Sequence, residues 1–184
     1  MALAAYALPF GLRDVRLTPI AADGTATVAS KQDLPASRTF SFSEAEDFEA
    51  LQGDDITVGS HGKGPLVEWS LEGGGISIAA WKVLAGGAAV ASGVTPAAKN
   101  TYTKLVTDAR PYFQAEGQAI SDSGGDFHAI VYRCKADGNL EGSMENGSFL
   151  LTAASGKGYG ETAQAVPTNK LYEFVHNETA VAIP

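Results

Sequence analysis

The stretch Ser121-Asp122-Ser123-Gly124-Gly125-Asp126, followed at once by Phe127 and His128, brings two hydroxyls, two carboxylates and an imidazole close together in the chain. Its central letters, DSGG, also surround the nucleophile of many serine proteases. Acyl transfer by such a serine needs a histidine base, a carboxylate that orients the base, and donors for the developing oxyanion. The context for each is missing here. The position two before the nucleophile, a glycine in those proteases, is Ser121, and the only upstream histidine, His61, sits in an unrelated GSHGKG stretch. No hydrophobic new N-terminus of the kind that pairs with the aspartate before the serine is present either. Asp126 and His128 are two residues apart, which places them on one face of a strand. Ser, Asp and Gly in succession between two alternating runs are turn residues, supplying side-chain capping and positive φ. The expectation is a hairpin turn at Ser123-Gly124-Gly125, with no catalytic residue.

The remaining reactive side chains give no stronger signal. His61, His128 and His176 are widely spaced and match no metal-ligand pattern. Gly62-Lys63-Gly64 and Gly156-Lys157-Gly158 resemble pieces of phosphate loops, but neither completes G-x-x-x-x-G-K-[ST]; both are expected in loops. The acids Glu44, Glu46, Asp47, Glu49, Asp54 and Asp55 do not follow the spacing of an EF-hand and are expected on a solvated surface. The single cysteine, Cys134, allows no intrachain disulfide and fits a buried strand position in HAIVYRCKA. No metal or other cofactor is expected.

The 184 residues fit one domain, with 21 glycines and 18% charged residues, a composition suited to many short strands joined by tight turns. The formal net charge of −8 repels phosphate backbones and argues against a nucleic-acid-binding groove. The apolar start, MALAAYALPFGL, has no basic region ahead of it, and no run approaches the ~18 apolar residues of a membrane span. The expectation is a protein made in the cytoplasm, without a membrane partner.

These residues must be positioned mainly by strands. Residues 1–11 read as an uncharged arm, LRDVRLTPI as a first strand, and 22–37 as loop. RTFSFSEA alternates, with Phe40 and Phe42 on one face. In SEAEDFEALQGDD, Ser43 and Glu46 form a capping box for a helix, but a strand that turns at Gly53-Asp54-Asp55 into ITVGS competes with it. PLVEWSLEG sets Val67, Trp69 and Leu71 against Leu66, Glu68 and Ser70. ISIAAWKVLAGG predicts one helix over about 75–85, with Ile76, Ala79, Ala80 and Val83 on a stripe and Gly86-Gly87 as its stop. Residues 88–100 read as loop. Strands are expected at 101–107, 111–120, 127–136 and 147–153, then a glycine-rich loop (SGKGYG), and a C-terminal arm over 160–184 in which LYEFVH can pair.

One longer pattern carries more information than any short motif. A Phe/Ser strand leads to an acidic segment ending in L-x-G-D-D and then to a V-E-W strand. GGGISIAAWKVLAGG and RPYFQAEGQAISDSGGD follow. From Leu8 to Gly156 this order resembles the major tail tube proteins of long, non-contractile-tailed bacteriophages, particularly those of actinobacterial hosts. The resemblance implies a mainly β fold, a sandwich- or barrel-like subunit with one flanking helix. It implies six subunits per ring, inner sheets that join into a ring-wide β-barrel, and rings that stack into a tube conducting DNA. It also favours strand over helix for Glu44–Gln52. The implied partners are further copies of the chain, the tape measure protein, and tail terminator and distal tail proteins; the implied location is the virion tail. On this reading Glu44 and Glu46 are candidate channel-lining acids, and Gly53, Asp54, Asp55, Ser123, Gly124 and Gly125 are candidate inter-subunit loops. A tube subunit of a contractile tail or secretion machine shares the architecture. A monomeric β-sandwich binding module is the reading from a different class.

Overall fold

The computed structural model describes residues 5–53, 56–142, 144, 146–162 and 169–183. Alternation of apolar and polar residues dominates the chain, and strands dominate the fold. The elements in order are β1 (Pro9–Pro19), β2 (Gln32–Asp33), β3 (Ser37–Ala45), β4 (Phe48–Gly53), β5 (Ile56–Gly62) and β6 (Leu66–Gly74). After helix α1 (Ile78–Ala85) come β7 (Ala88–Ser92), β8 (Lys99–Thr103), β9 (Phe113–Ser121) and β10 (Asp126–Lys135). β11 (Leu140–Glu141), β12 (Leu151–Tyr159) and β13 (Tyr172–Asn177) complete the set.

Among the described residues nine strands join in one sheet, in the order β2-β1-β9-β10-β12-β6-β3, with β11 beside β12 and β13 beside β10. Two hairpins, β4-β5 and β7-β8, stand apart from it. One core lies between the β1-β9-β10 half and the β12-β6-β3 half. Val15, Leu17, Phe113, Ala115 and Val131 meet Val67, Trp69 and Leu71 there. Trp69 and Phe113 pack edge to face with ring centroids 5.4 Å apart. The two halves approach so closely at Gly117 that a Cβ there would strike the Phe40 ring.

Helix α1 is shorter than its sequence pattern suggests. Gly73 and Gly74 continue β6, Gly75 turns the chain at φ +80°, and Ser77 caps the helix by accepting from the Ala80 N–H. Ile76 therefore precedes the helix and is exposed, as is Ala79; the buried face is Ala80, Val83, Leu84 and Ala85. Gly86, at φ +78°, ends the helix by donating to the Lys82 carbonyl.

Other differences have physical causes. The apolar arm is drawn into β1 from Pro9 onward, where Pro9 and Phe10 pair with Ser121 and Ile120. Residues 88–103, read as loop at their start, form the β7-β8 hairpin. The SGKGY part of SGKGYG, residues 155–159, is strand rather than loop. It lies inside β12, where a Cβ on Gly156 would overlap the Lys135 carbonyl, and one on Gly158 would press on Val131 and Val67. Its glycines serve close packing between neighbouring strands. The C-terminal segment contributes β13, which pairs with the first half of β10. Glu44–Gln52 is strand apart from a break at Glu46-Asp47, after which β4 turns back on β5.

Candidate functional site

The turn at Ser121–Asp126 joins β9 to β10, with Gly124 and Gly125 at φ +104° and +70°. Both glycines take conformations that L side chains avoid, and a Cβ on Gly125 would collide with the Asn177 carbonyl. Ser123 Oγ donates to the Tyr6 carbonyl at 2.9 Å and shares a hydrogen bond with Ser121 Oγ at 2.8 Å. The Leu8 N–H donates to Ser121 Oγ at 3.0 Å, and the Asp122 N–H to the Leu8 carbonyl. Ser123 is thus a fastener for the N-terminal segment.

His128 points elsewhere. Cross-strand pairing puts Arg16, Glu116 and Ile130 in one row, Asp14, Gln118 and His128 in the next, and Asp126 opposite Ile120. Paired residues share a face, so these polar groups occupy the side of β1-β9-β10 away from the core. The chain end crosses this side and buries it. His128 Nδ1 lies 2.8 Å from Glu116 Oε1; Nε2 lies 2.9 Å from Asp126 Oδ2 and 3.1 Å from the Val181 carbonyl. Asp126, with no exposed surface, also accepts from Gln118 Nε2 at 2.5 Å, the Val181 N–H at 2.9 Å and Asn177 Nδ2 at 2.8 Å. Gln118 Nε2 donates again to the Val181 carbonyl at 2.8 Å. Next to this cluster, Arg16 donates to the Ile183 carbonyl and pairs with Asp33 at 2.6 Å.

The electrostatics follow from these contacts. Burial pushes the Asp126 carboxyl up, but hydrogen bonds from Asn177, His128, Gln118 and the Val181 N–H outweigh it and hold the pKa at about 2. Burial pushes His128 down, while the bonds and charges of Glu116 and Asp126 act the other way and leave its pKa raised. Both nitrogens of His128 are committed to Glu116, Asp126 and the Val181 carbonyl rather than to Ser123. The arrangement clamps the segment around Val181 to β9 and β10.

The other candidates are dispersed. Glu44 shares the face of Phe40 and Phe42, pairs with Val67, and accepts from Tyr172 Oη at 2.7 Å. Glu46 occupies the break between β3 and β4, its carboxylate against Gly62. Gly53 ends β4, opposite Ile56; Asp54 and Asp55 lie outside the described residues. Lys63 pairs with Glu49 at 3.0 Å on the surface, and Cys134 is buried, its thiol pushed up by burial. A groove of about 440 Å³ runs over the polar side of β3, β6 and β12, past Ser41, Ser43, Glu68, Ser70, Ser155 and Lys157. Ser41 and Ser70 share a 2.7 Å hydrogen bond across it.

Sequence reading singled out Asp126 and His128 but missed Glu116, Gln118, Asn177 and Val181. One signal was present: Glu116 and Gln118 alternate with Ala115 and Gly117, so a hairpin at Ser123 sets them beside His128. The closing of the chain end over them carried no such signal. Fold and site together define a mainly β protein whose densest polar chemistry is a buried ionic clamp. No protein-family model matches the chain, and no curated protein does.

Proposed function

We propose that the chain is a structural subunit of a bacteriophage tail tube, assembling as hexameric rings that stack around a DNA channel. The observation that carries this reading is the β4-β5 hairpin. It stands off the main sheet with Phe48, Leu51, Ile56 and Val58 exposed by 67%, 67%, 66% and 64%. Four large apolar side chains on one projecting arm make a poor monomer surface and a good one to bury against a neighbouring copy. Tyr6, Leu8 and Phe10 on the N-terminal segment, and Val90 and Val94 around the β7-β8 hairpin, repeat the pattern.

In this reading the two halves of the sheet are the layers of a sandwich, and α1 lies on its flank. β3 ends the strand order, and joining edge strands between copies would continue the inner layer into a ring-wide barrel. A heterologous contact of this kind closes into rings, and stacked rings extend as an open polymer. Glu44 and Glu46, at the root of the hairpin, are the proposed channel-side acids. The tape measure protein and the tail terminator and distal tail proteins are the proposed partners, in the virion. Replacing Leu51 and Val58 together by glutamate tests the reading. The variant should keep its folding stability within about 0.5 kcal/mol, because both residues are exposed, yet lose all assembly seen with the parent chain by sedimentation. Unchanged assembly would remove the hairpin as the supporting observation.

A further inference from the structure

The three groups that face the ring nitrogens of His128 are all acceptors: Glu116 Oε1 at Nδ1, and Asp126 Oδ2 with the Val181 carbonyl at Nε2. A neutral imidazole has one N–H and one lone pair, so it satisfies only one side of this set. The imidazolium satisfies both. The contacts reach the chain end from both directions, since Asp126 also accepts the Val181 N–H, and Gln118 and His128 both donate to its carbonyl. Asn177 ties the end of β13 to the same carboxylate, and Ile183, only 4% exposed, is seated beyond.

We propose that residues 177–183 form a strap locked over the polar face of β1, β9 and β10 by a doubly protonated His128, and that loss of one imidazole proton releases it. The charged groups around the imidazole set the sign. Glu116 on β9 and Asp126 on β10 touch it and favour the cation. Arg16 on β1 lies beside Glu116 in register and is itself balanced by Asp33 and, at 3.8 Å, Asp14. The folded pKa of His128 is raised above its ordinary 6.5, so the lock is complete below about pH 6.5 and fails as pH rises through the folded value. An opened strap uncovers Arg16, Glu116, Gln118, Asp126 and His128 as a charged surface. The inference does not depend on tube assembly.

Hydrogen exchange read by mass spectrometry on peptides spanning 171–183, corrected for the intrinsic rate, tests it on the whole chain from pH 5 to 9. Opening of the strap should be constant below about pH 6.5, then increase by up to tenfold per pH unit until the folded pKa is passed. His128→Gln should open more at pH 6 and lose this pH dependence. Nitrogen NMR of the imidazole provides a check that does not rely on a variant folding, and both ring nitrogens should be protonated at pH 6.5. A strap protected equally from pH 5 to 9 would overturn the proposal. So would a neutral His128 at pH 6.5 in a closed strap, or an unchanged pH profile in His128→Gln.

Discussion

Asp126 and His128 give the clamp opposite limits of pH. The Asp126 carboxyl falls from its ordinary 3.8 to about 2 in the folded chain. Its contribution to stability is therefore full above about pH 4 and lost as pH falls through about 2. The contribution of His128 has the reverse sign, full below its ordinary 6.5 and lost as pH rises through its raised value. Urea unfolding midpoints should accordingly be highest between about pH 4 and 6.5 and decline on both sides. Asp126→Ala strips His128, Asn177 and the Val181 N–H of one shared acceptor, and should cost about 3–5 kcal/mol at pH 6 in the same experiment. Ser123→Ala, losing its bonds to the Tyr6 carbonyl and to Ser121 Oγ, should cost about 1 kcal/mol. A fluorophosphonate probe should leave Ser123 unlabelled in the parent protein. Period-two spacing made the shared face of Asp126 and His128 legible beforehand. The Val181 carbonyl that completes the clamp was not legible, because it lies 53 residues from His128 and belongs to the backbone.

At the level of elements, alternation located β3, β6, β9 and β10, since each has one face in the core and one outside it. It failed at β12, whose Ser155–Tyr159 half contains glycines that read locally as loop. Those glycines answer to Trp69, Val67, Val131 and the Lys135 carbonyl, which come from other strands and leave no local trace. Gly156→Ala should therefore destabilise the fold by about 3 kcal/mol. Gly59→Ala, on the exposed hairpin with nothing within 4 Å of the new methyl, should stay within about 0.5 kcal/mol. The pair, compared by thermal unfolding, separates glycines that admit a close approach from one that does not. The helix shows the same division between local and distant causes. Its stop at Gly86-Gly87 was readable, whereas its start moved to Ser77 because β6 claims Gly73 and Gly74 for the sheet. Removing that cap by Ser77→Ala should cost about 1 kcal/mol.

Across the whole molecule, a β core carries apolar arms that nothing among the described residues covers. The β4-β5 hairpin is the clearest case, and the proposed assembly with further copies would give its side chains a dry environment. The acidity of the chain, −8 in total, would suit the proposed DNA conduit, because a basic lining would release counterions and bind. Glu44→Lys and Glu46→Lys in a phage built from this subunit should slow DNA ejection, with the larger effect at low salt. Unchanged kinetics would place both acids away from the channel. Self-assembly itself is the central claim, and negative-stain electron microscopy of the purified protein at high concentration tests it most directly. Rings of six, and hollow tubes built from them, are the expected particles. Particles that remain monomeric throughout the concentration range would contradict it.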